Sequence, residues 1–112
     1  MRFVAITSCA TGIAHSYMAA EAITKMAKKN GIQVHVEIQG AMGIEDELSK
    51  DEIEKADFIV FANDVGISKS DRFSKFQNKV IQSGPHEVIK NPNVILEKAK
   101  KLLESSDTAE KS

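Results

Sequence analysis

Two short runs of consecutive apolar residues constrain the fold of this chain most strongly. The runs are residues 3–6 and 58–62, and in neither do apolar residues alternate with polar ones. Strands of this kind are buried on both faces, as they are at the centre of a parallel sheet. Parallel neighbours need long crossover connections, which are usually helices. The two runs therefore predict an α/β fold.

The segments around these runs predict the remaining elements. Residues 13–30 have helical periodicity, residues 32–38 alternate as a half-exposed edge strand does, and residues 79–82 form a weak further strand. A last amphipathic helix is predicted over residues 93–103, and Ser49 with Glu52 three residues on predicts the start of a short helix. Residues 39–43 and residues 83–86, which include His86, are predicted to be loops. The apolar face of the first helix comprises Met18, Ala19, Ala22, Ile23, Met26 and Ala27.

Strands that alternate with helices pair in parallel through right-handed crossovers. We therefore expect an open four-stranded parallel sheet in the order 2-1-3-4 with helices on both faces, which is a flavodoxin-like arrangement or half of a Rossmann fold. Residues 1–103 are predicted to form a single domain and residues 104–112 a frayed tail. In such sheets ligands bind where the strand order reverses, beyond the carboxyl ends of the strands. The loops that begin at Cys9 and Asn63 should flank that point.

Charge and cysteine content exclude several classes of function. The 112 residues include 15 basic and 16 acidic side chains, for a net charge of −1, so nothing favours nucleic acid or an anionic membrane surface. A single cysteine fits a reducing compartment. The apolar start is too short for a signal peptide or a membrane span. We expect a cytoplasmic chain that does not insert into the membrane.

The segment that follows the first strand has the features of a phosphate-binding loop. Backbone N–H groups at a helix start lack intrahelical partners, and the helix dipole adds positive potential there. A glycine permits the tight turn, and a threonine hydroxyl can donate a hydrogen bond or cap the helix. The predicted phosphate-binding loop comprises Ala10, Thr11, Gly12, Ile13, Ala14 and His15.

Cys9, at the start of this loop, is the candidate catalytic residue. A helix N-terminus lowers the pKa of a thiol, and the thiolate is the form that acts as a nucleophile. His15 could donate to a phosphate or could simply face water. No histidine has metal-like spacing to a carboxylate or to Cys9, so we expect neither a metal nor a cofactor. Asp64 and Arg72 are possible rim or docking residues, although Asp64 could form a turn and Arg72 could be solvated.

Several segments resemble the fructose-type enzyme IIB of the bacterial phosphoenolpyruvate-dependent sugar phosphotransferase system. Residues 9–22, which read CATGIAHSYMAAEA, resemble its active-site segment. Residues 36–40 resemble the end of its second strand, residues 56–65 its third strand and following loop, and residues 71–73 a subsequent Arg-Phe pair. The resemblance extends over residues 1–103.

The resemblance implies a phosphotransferase with a defined place in sugar transport. Cys9 would accept a phosphoryl group from a phosphohistidine of enzyme IIA and pass it to a sugar, fructose in the first instance, bound in the membrane enzyme IIC. The chain would then work in the bacterial cytoplasm and dock at the inner face of the membrane. The family usually has proline after the cysteine, whereas this chain has Ala10, which makes the loop less rigid and adds one N–H donor.

Other classes of function share parts of this pattern. A small cysteine-dependent phosphatase is the main alternative, but it has arginine where this chain has His15, and imidazole cannot grip a phosphate bidentately. A flavin binder would need aromatic residues, and the chain has one tyrosine and no tryptophan. The loop has one glycine rather than the three of a dinucleotide site. A non-catalytic interaction module would not need Cys9.

Overall fold

A computed structural model describes residues 2–8, 13–40, 43–63, 66–67 and 69–111. Five strands and five helical segments follow one another along these residues. The strands are β1 (Arg2–Ser8), β2 (Gln33–Gly40), β3 (Gly43–Glu45), β4 (Phe58–Asn63) and β5 (Val80–Ser83). The helical segments are α1 (Ile13–Lys29), α2 (Lys50–Lys55), a 3-10 helix (Ser70–Lys79), α3 (Pro85–Lys90) and α4 (Asn93–Lys111).

The strands form one mixed sheet in the order β3-β2-β1-β4-β5. The four longer strands are parallel and keep the predicted order, so that part of the prediction is confirmed. The prediction of an entirely parallel four-stranded sheet is wrong, because β3 pairs antiparallel with the end of β2. Gly40 is opposite Gly43 in that pairing, and the φ of Gly43 is +122°, a conformation that favours glycine. The predicted loop over residues 39–43 therefore includes the last two residues of β2 and the first residue of β3, which pair as a hairpin.

One face of the sheet packs against α1, α3 and α4. Phe3 of β1 and Phe58 of β4 stack within this layer with ring centroids 4.6 Å apart. The bounds of α1 are within one residue of the prediction. Its buried apolar residues are Ala19, Ala20, Ile23, Met26 and Ala27.

The opposite face packs against α2 and the 3-10 helix, so helices cover both faces as predicted. Val4 and Ile6 of β1 point to this side because successive residues of a strand alternate between faces. Ile53 of α2 and Phe73 of the 3-10 helix are fully buried against them. β1 is therefore covered on both faces, as its continuous apolar sequence predicts.

The sequence predicts the start of α2 from Ser49 and Glu52, and the structure confirms it. The Glu52 N–H donates to Ser49 Oγ at 3.2 Å, and the Ser49 N–H donates to Glu52 Oε1 at 3.3 Å. This reciprocal pair is a capping box, which satisfies two N–H groups that the helix itself cannot.

Ser49→Ala should lower the free energy of unfolding by about 1 kcal/mol, because the Glu52 N–H loses its acceptor. Urea denaturation followed by circular dichroism measures the change. Ser49→Thr is the matched control, since it keeps a hydroxyl acceptor and should remain within a few tenths of 1 kcal/mol of the unmodified chain. Equal stability of the alanine and threonine variants would contradict the proposed contribution of the cap.

The two C-terminal helices differ from expectation. Gly84 and Pro85 were predicted to lie in a loop, but Gly84 is the N-cap of α3 and Pro85 its first residue. Proline is well suited to that position because its missing N–H would have no partner there. α4 ends at Lys111, beyond the last apolar residue of its predicted face. The frayed tail over 104–112 and the domain limits 1–103 stay predictions.

Candidate functional site

The carboxyl ends of the four parallel strands define one rim of the sheet. Ser8, the last residue of β1, lies opposite Gln39 of β2 and Asn63 of β4. Ser83, the last residue of β5, pairs beside Ala62. The chain leaves β1 at this rim, and four residues separate Ser8 from the first residue of α1. The strand order reverses around β1, as expected for a ligand site in an open α/β sheet.

The predicted nucleophile and the first half of its loop are not part of the described structure. Cys9, Ala10, Thr11 and Gly12 lie outside the described residues, and their roles stay predictions. Their position in the chain is nevertheless defined, because they connect Ser8 to the first residue of α1.

The second half of the predicted loop forms the first turn of α1. Ile13 begins the helix, Ala14 is exposed and His15 is half-buried. The first turn contains no acidic residue, while Lys28 and Lys29 occupy the last turn. The positive end of a long helix dipole therefore lies at this rim, and the first turn contains no carboxylate that would neutralise it.

Two buried hydroxyl groups flank the 9–12 segment. Thr7 near the end of β1 and Ser16 in α1 are both 0% exposed. Neither Thr7 Oγ1 nor Ser16 Oγ has a hydrogen-bond partner among the described residues. A buried hydroxyl without a partner is costly, so such groups commonly serve a neighbouring segment, a water or a ligand. The base of this rim thus contains hydroxyl donors in addition to backbone N–H groups.

The structure brings His15 together with a histidine that sequence analysis set aside. His86, in the first turn of α3, lies with its ring centroid 5.2 Å from that of His15, and the ring planes are inclined by 63°. This is an edge-to-face arrangement. His86 follows the end of β5 by three residues, so it belongs to the same rim as His15. No periodicity or motif in the sequence indicates this contact.

Arg72, predicted as a possible docking residue, is held by internal hydrogen bonds. Its Nη1 and Nη2 each donate to one carboxylate oxygen of Glu37 at 2.9 Å. Nη1 also donates to the Leu48 carbonyl at 3.0 Å, and Nε donates to the Lys69 carbonyl at 3.0 Å. The Arg72 side chain is 9% exposed and that of Glu37 is 0% exposed. We call this buried bidentate ion pair the Arg72–Glu37 clamp.

The clamp determines the ionisation of Glu37. Burial alone would raise the pKa of Glu37, but the hydrogen bonds from Arg72, the Leu48 N–H and Gln39 outweigh burial and hold the pKa below its usual value. Glu37 in turn raises the pKa of Arg72. The pair is therefore fully charged at neutral pH.

Sequence analysis missed Glu37. It lies on the face of β2 that the alternating pattern assigns to solvent, but the 3-10 helix covers it. The signal that could have found it is the resemblance itself, because Glu37 and Arg72 lie in two of its segments, 36–40 and 71–73. Gln39 connects the clamp to the rim: its Nε2 donates to Glu37 Oε2 at 2.8 Å, and it pairs in register with Ser8.

The other predicted rim residue, Asp64, directly follows the end of β4 in the sequence. Asp64 lies outside the described residues, and its role stays a prediction. Asn63, directly before it, accepts a hydrogen bond at Oδ1 from Gln82 Nε2 at 3.2 Å. This bond joins β4 to β5 near the rim.

Met18 was predicted to be buried and is instead 50% exposed. Its position in α1 turns it away from the sheet, while Ala20 takes the buried position. Met18 lines an open groove with Ile89 and Pro92, and charged residues of α1 line the same groove. The adjacent Tyr17 is also largely exposed, and its hydroxyl donates to Glu45 of β3, which raises the pKa of Tyr17.

The described residues show neither a metal-ligand cluster nor a membrane-spanning helix. Within the described ranges, no three His, Cys, Asp or Glu side chains converge as ligands of a metal ion. Among the helices that the structure describes, none combines the length and apolar character needed to cross a bilayer. The expected absence of a metal or cofactor stays a prediction.

Comparison with known proteins identifies the family. A family model described as "PTS system, Lactose/Cellobiose specific IIB subunit" matches residues 4–103. The "PTS system fructose-like EIIB component 2" of Escherichia coli K12 is 35% identical over 97 residues, which are 87% of this chain and 90% of that protein. The "PTS system fructose-specific EIIB component" of Haloferax volcanii is 38% identical over 109 residues, which are 96% of this chain and 66% of that protein.

Solved structures of similar proteins support the same family. An Escherichia coli structure described as "Predicted Fructose Specific IIB" superposes with a TM-score of 0.82 at 30% identity and covers 91% of this chain and 88% of that one. The fold and the matched sequence define a IIB subunit of the phosphotransferase system (PTS). Within that class, the chain belongs to the fructose-type IIB components, which are phosphotransferases of sugar transport. The resemblance inferred from sequence is thereby confirmed.

Proposed function

We propose that this chain carries a phosphoryl group on the thiol of Cys9, in the cytoplasm, between enzyme IIA and a sugar bound in enzyme IIC. One observation carries the proposal. The only cysteine of this IIB chain directly follows Ser8 at the rim where strand order reverses, and it precedes a long helix whose first turn has no acidic residue. That setting favours a thiolate and a phosphate dianion in the same place.

The transfer has two balanced steps. In the first, the Cys9 thiolate attacks the phosphorus of a phosphohistidine; the S–P bond forms, the P–N bond breaks and the imidazole of the donor leaves. In the second, a sugar hydroxyl attacks the same phosphorus; the O–P bond forms, the S–P bond breaks, the thiolate is regenerated and the hydroxyl proton is released. Both steps need in-line positioning and charge stabilisation more than any other chemistry.

The loop supplies that stabilisation. N–H groups of residues 10–15 and the Thr11 hydroxyl would bind the phosphoryl oxygens, and His15 would add a side-chain N–H donor. The rim beyond the loop would receive both partners, with Asp64 as a contact residue. Arg72 would contribute indirectly, since its guanidinium is committed to the clamp.

Fructose is the proposed sugar, and enzyme IIC the proposed membrane partner. The names of relatives support both. Two relatives are described as fructose-specific or fructose-like IIB components. This chain is also 42% identical to 19% of the length of the "Fructose-like PTS system EIIBC component" of Escherichia coli K12, in which the name joins the IIB and IIC components. Sugar choice would lie largely in the IIC partner.

The test is phosphorylation of the purified chain. Phosphoenolpyruvate, the general PTS proteins and a fructose-type IIA should add one phosphoryl group to Cys9, detected by intact and fragment mass spectrometry. The adduct should persist without an acceptor and disappear when fructose and IIC-containing membranes are added. Attachment to a histidine, or no adduct with any fructose-type IIA, would contradict the proposal. Rapid hydrolysis without an acceptor would favour the phosphatase alternative.

A further inference from the structure

The second turn of α1 exposes two large apolar side chains close to the rim. In the part of the chain that the structure describes, Tyr17 at 44% and Met18 at 50% are the large apolar side chains left exposed. They directly follow the first turn of α1, which lies at the rim. The Tyr17 hydroxyl donates to Glu45 of β3, whereas Met18 lies on the side of α1 that adjoins α3.

Met18 is the first residue of α1 that lines a groove between this helix and the junction of α3 with α4. Ala22 and Met26 follow it along α1 at intervals of four residues, and Ile89 and Pro92 line the groove from the other side. Its volume is about 430 Å³. Grooves of this kind receive the apolar face of an amphipathic helix, and methionine side chains adapt well to such a partner. We call it the α1–α3 groove.

The border of the α1–α3 groove is positively charged. Glu21 and Lys25 both line it, but they pair with each other at 3.0 Å and their charges offset. Lys29 also lines it, and Lys90 directly follows Ile89 in the chain. Both lysines are exposed, and neither has a salt bridge within the described ranges. A surface with apolar side chains bordered by carboxylates is therefore complementary to the groove.

The rim itself offers little apolar surface to a protein partner. Its described strand residues include Ser8, Gln39, Asn63 and Ser83, which are all polar. Protein interfaces combine a polar border with an apolar core in which aromatic residues and methionine are frequent. A protein that docks at the rim gains such a core when its contact extends along α1 over Met18.

We propose that the α1–α3 groove is a docking surface for the phosphoryl donor, enzyme IIA, through an amphipathic helix with apolar and acidic side chains. The inference rests on the proposed function, because the donor must bring its phosphohistidine to the rim. Met18 lies one helical turn from that rim, so one partner can cover both. A concave groove fits a helix of a protein rather than the flat surface of a bilayer.

The first test compares Met18→Ala with Met18→Leu by isothermal titration calorimetry against a fructose-type IIA. We expect Met18→Ala to raise the Kd roughly tenfold, because apolar anchors contribute most of the binding energy of an interface. Met18→Leu keeps the apolar volume and should stay within about twofold. In phosphoryl transfer, Met18→Ala should raise the KM for IIA and leave kcat unchanged, as expected when only binding is lost. Unchanged thermal midpoints would show that the variants are folded.

The second test addresses the charged border. Lys29→Glu should raise the Kd for IIA roughly threefold to tenfold at low salt and make binding less sensitive to ionic strength. Lys75→Glu is the matched control, because Lys75 is an exposed lysine of the 3-10 helix on the opposite face of the sheet. It should change neither the affinity nor its salt dependence.

The outcomes separate this inference from the proposed function. Equal Kd and KM values for IIA in Met18→Ala and the unmodified chain would overturn the inference and leave the carrier function intact. Normal IIA binding with slower transfer to fructose in IIC-containing membranes would assign the groove to IIC instead and overturn it. A dimer of the unmodified chain that Met18→Ala dissociates, with IIA binding unchanged, would assign the groove to a second copy and also overturn it. An unmodified chain that neither binds IIA nor takes up phosphate would overturn the proposed function, and this inference with it.

Discussion

Arg72→Leu is expected to lower the free energy of unfolding by about 3–5 kcal/mol, because it leaves a buried carboxylate without its counter-ion. Glu37 is 0% exposed and receives both guanidinium Nη atoms at 2.9 Å. The Leu48 and Lys69 carbonyls lose donors in the same variant. Urea denaturation at pH 7, followed by circular dichroism, measures the loss.

Two further variants distinguish the loss of the ion pair from the loss of side-chain volume. Arg72→Lys keeps the charge but not the bidentate fork, so it should recover only part of the loss. The double variant Glu37→Gln/Arg72→Leu should lose less free energy of unfolding than the two single variants added together. No buried charge is left unpaired in the double variant. An Arg72→Leu variant within about 0.5 kcal/mol of the unmodified chain, as for an ordinary surface substitution, would show that the clamp does not stabilise the fold.

The pH dependence gives the clamp a distinctive signature. The folded-state pKa of Glu37 is below its unfolded value, so the stability it contributes is fully present above the unfolded pKa. That stability is lost as the pH falls through the folded pKa. In Arg72→Leu the same burial is opposed only by the Leu48 N–H and Gln39, so the folded pKa of Glu37 should rise relative to the unmodified chain and acid should relieve part of the penalty. The stability gap between the two chains should therefore narrow as the pH is lowered from 7 towards the ordinary pKa of a glutamate.

Cys9→Ser should abolish stable phosphorylation of the chain by IIA, which is the largest functional effect expected. A serine hydroxyl at this position is not ionised near neutral pH, whereas a thiol at a helix N-terminus is. The substitution changes one atom, so the fold should be retained and the circular dichroism spectrum unchanged. Intact mass spectrometry after incubation with phosphoenolpyruvate, the general PTS proteins and IIA measures the loss.

Ala10→Pro is the companion variant, because it restores the residue usual in the family beside the same thiol. It should change the transfer rate only modestly, since the nucleophile and the first turn of α1 are retained. Phosphate uptake by Cys9→Ser at a rate close to that of the unmodified chain would show that the thiol is not the carrier. Complete loss of transfer in Ala10→Pro would contradict the proposed phosphate-binding loop.

The long elements of the fold could be predicted because their sequence patterns are set by burial. Residues 3–6 and 58–62 are apolar throughout, and both strands they predict are central. β3 could not be predicted, because three residues are too few to show an alternating pattern of polar and apolar side chains. It also begins at Gly43, whose positive φ favours glycine. α3 was missed because Gly84 and Pro85 are typical of turns as well as of helix starts.

The candidate site was only partly predictable for a related reason. Local pattern predicts His15 at the start of the first helix, and the structure has it in the first turn of α1. The placement of Cys9 stays a prediction. The contacts of His86 and Glu37 depend on elements far away in the sequence, namely α3 and the 3-10 helix. The alternation of β2 even predicts the wrong environment for Glu37, because a single-strand pattern does not include what packs on its outer face.

β3 also has a consequence for how molecules of this chain meet one another. It pairs with β2 only from Ile38 to Gly40, so the stretch from Gln33 to Glu37 has no strand on its outer side among the described residues. An unpaired strand edge is a template for intermolecular β-pairing. Here the exposed positions carry polar side chains: Gln33 accepts hydrogen bonds from the Arg2 guanidinium, and His35 contacts Glu52. The hairpin thus pairs the part of the β2 edge beside the rim, and the polar side chains of Gln33 and His35 disfavour intermolecular pairing along the remainder.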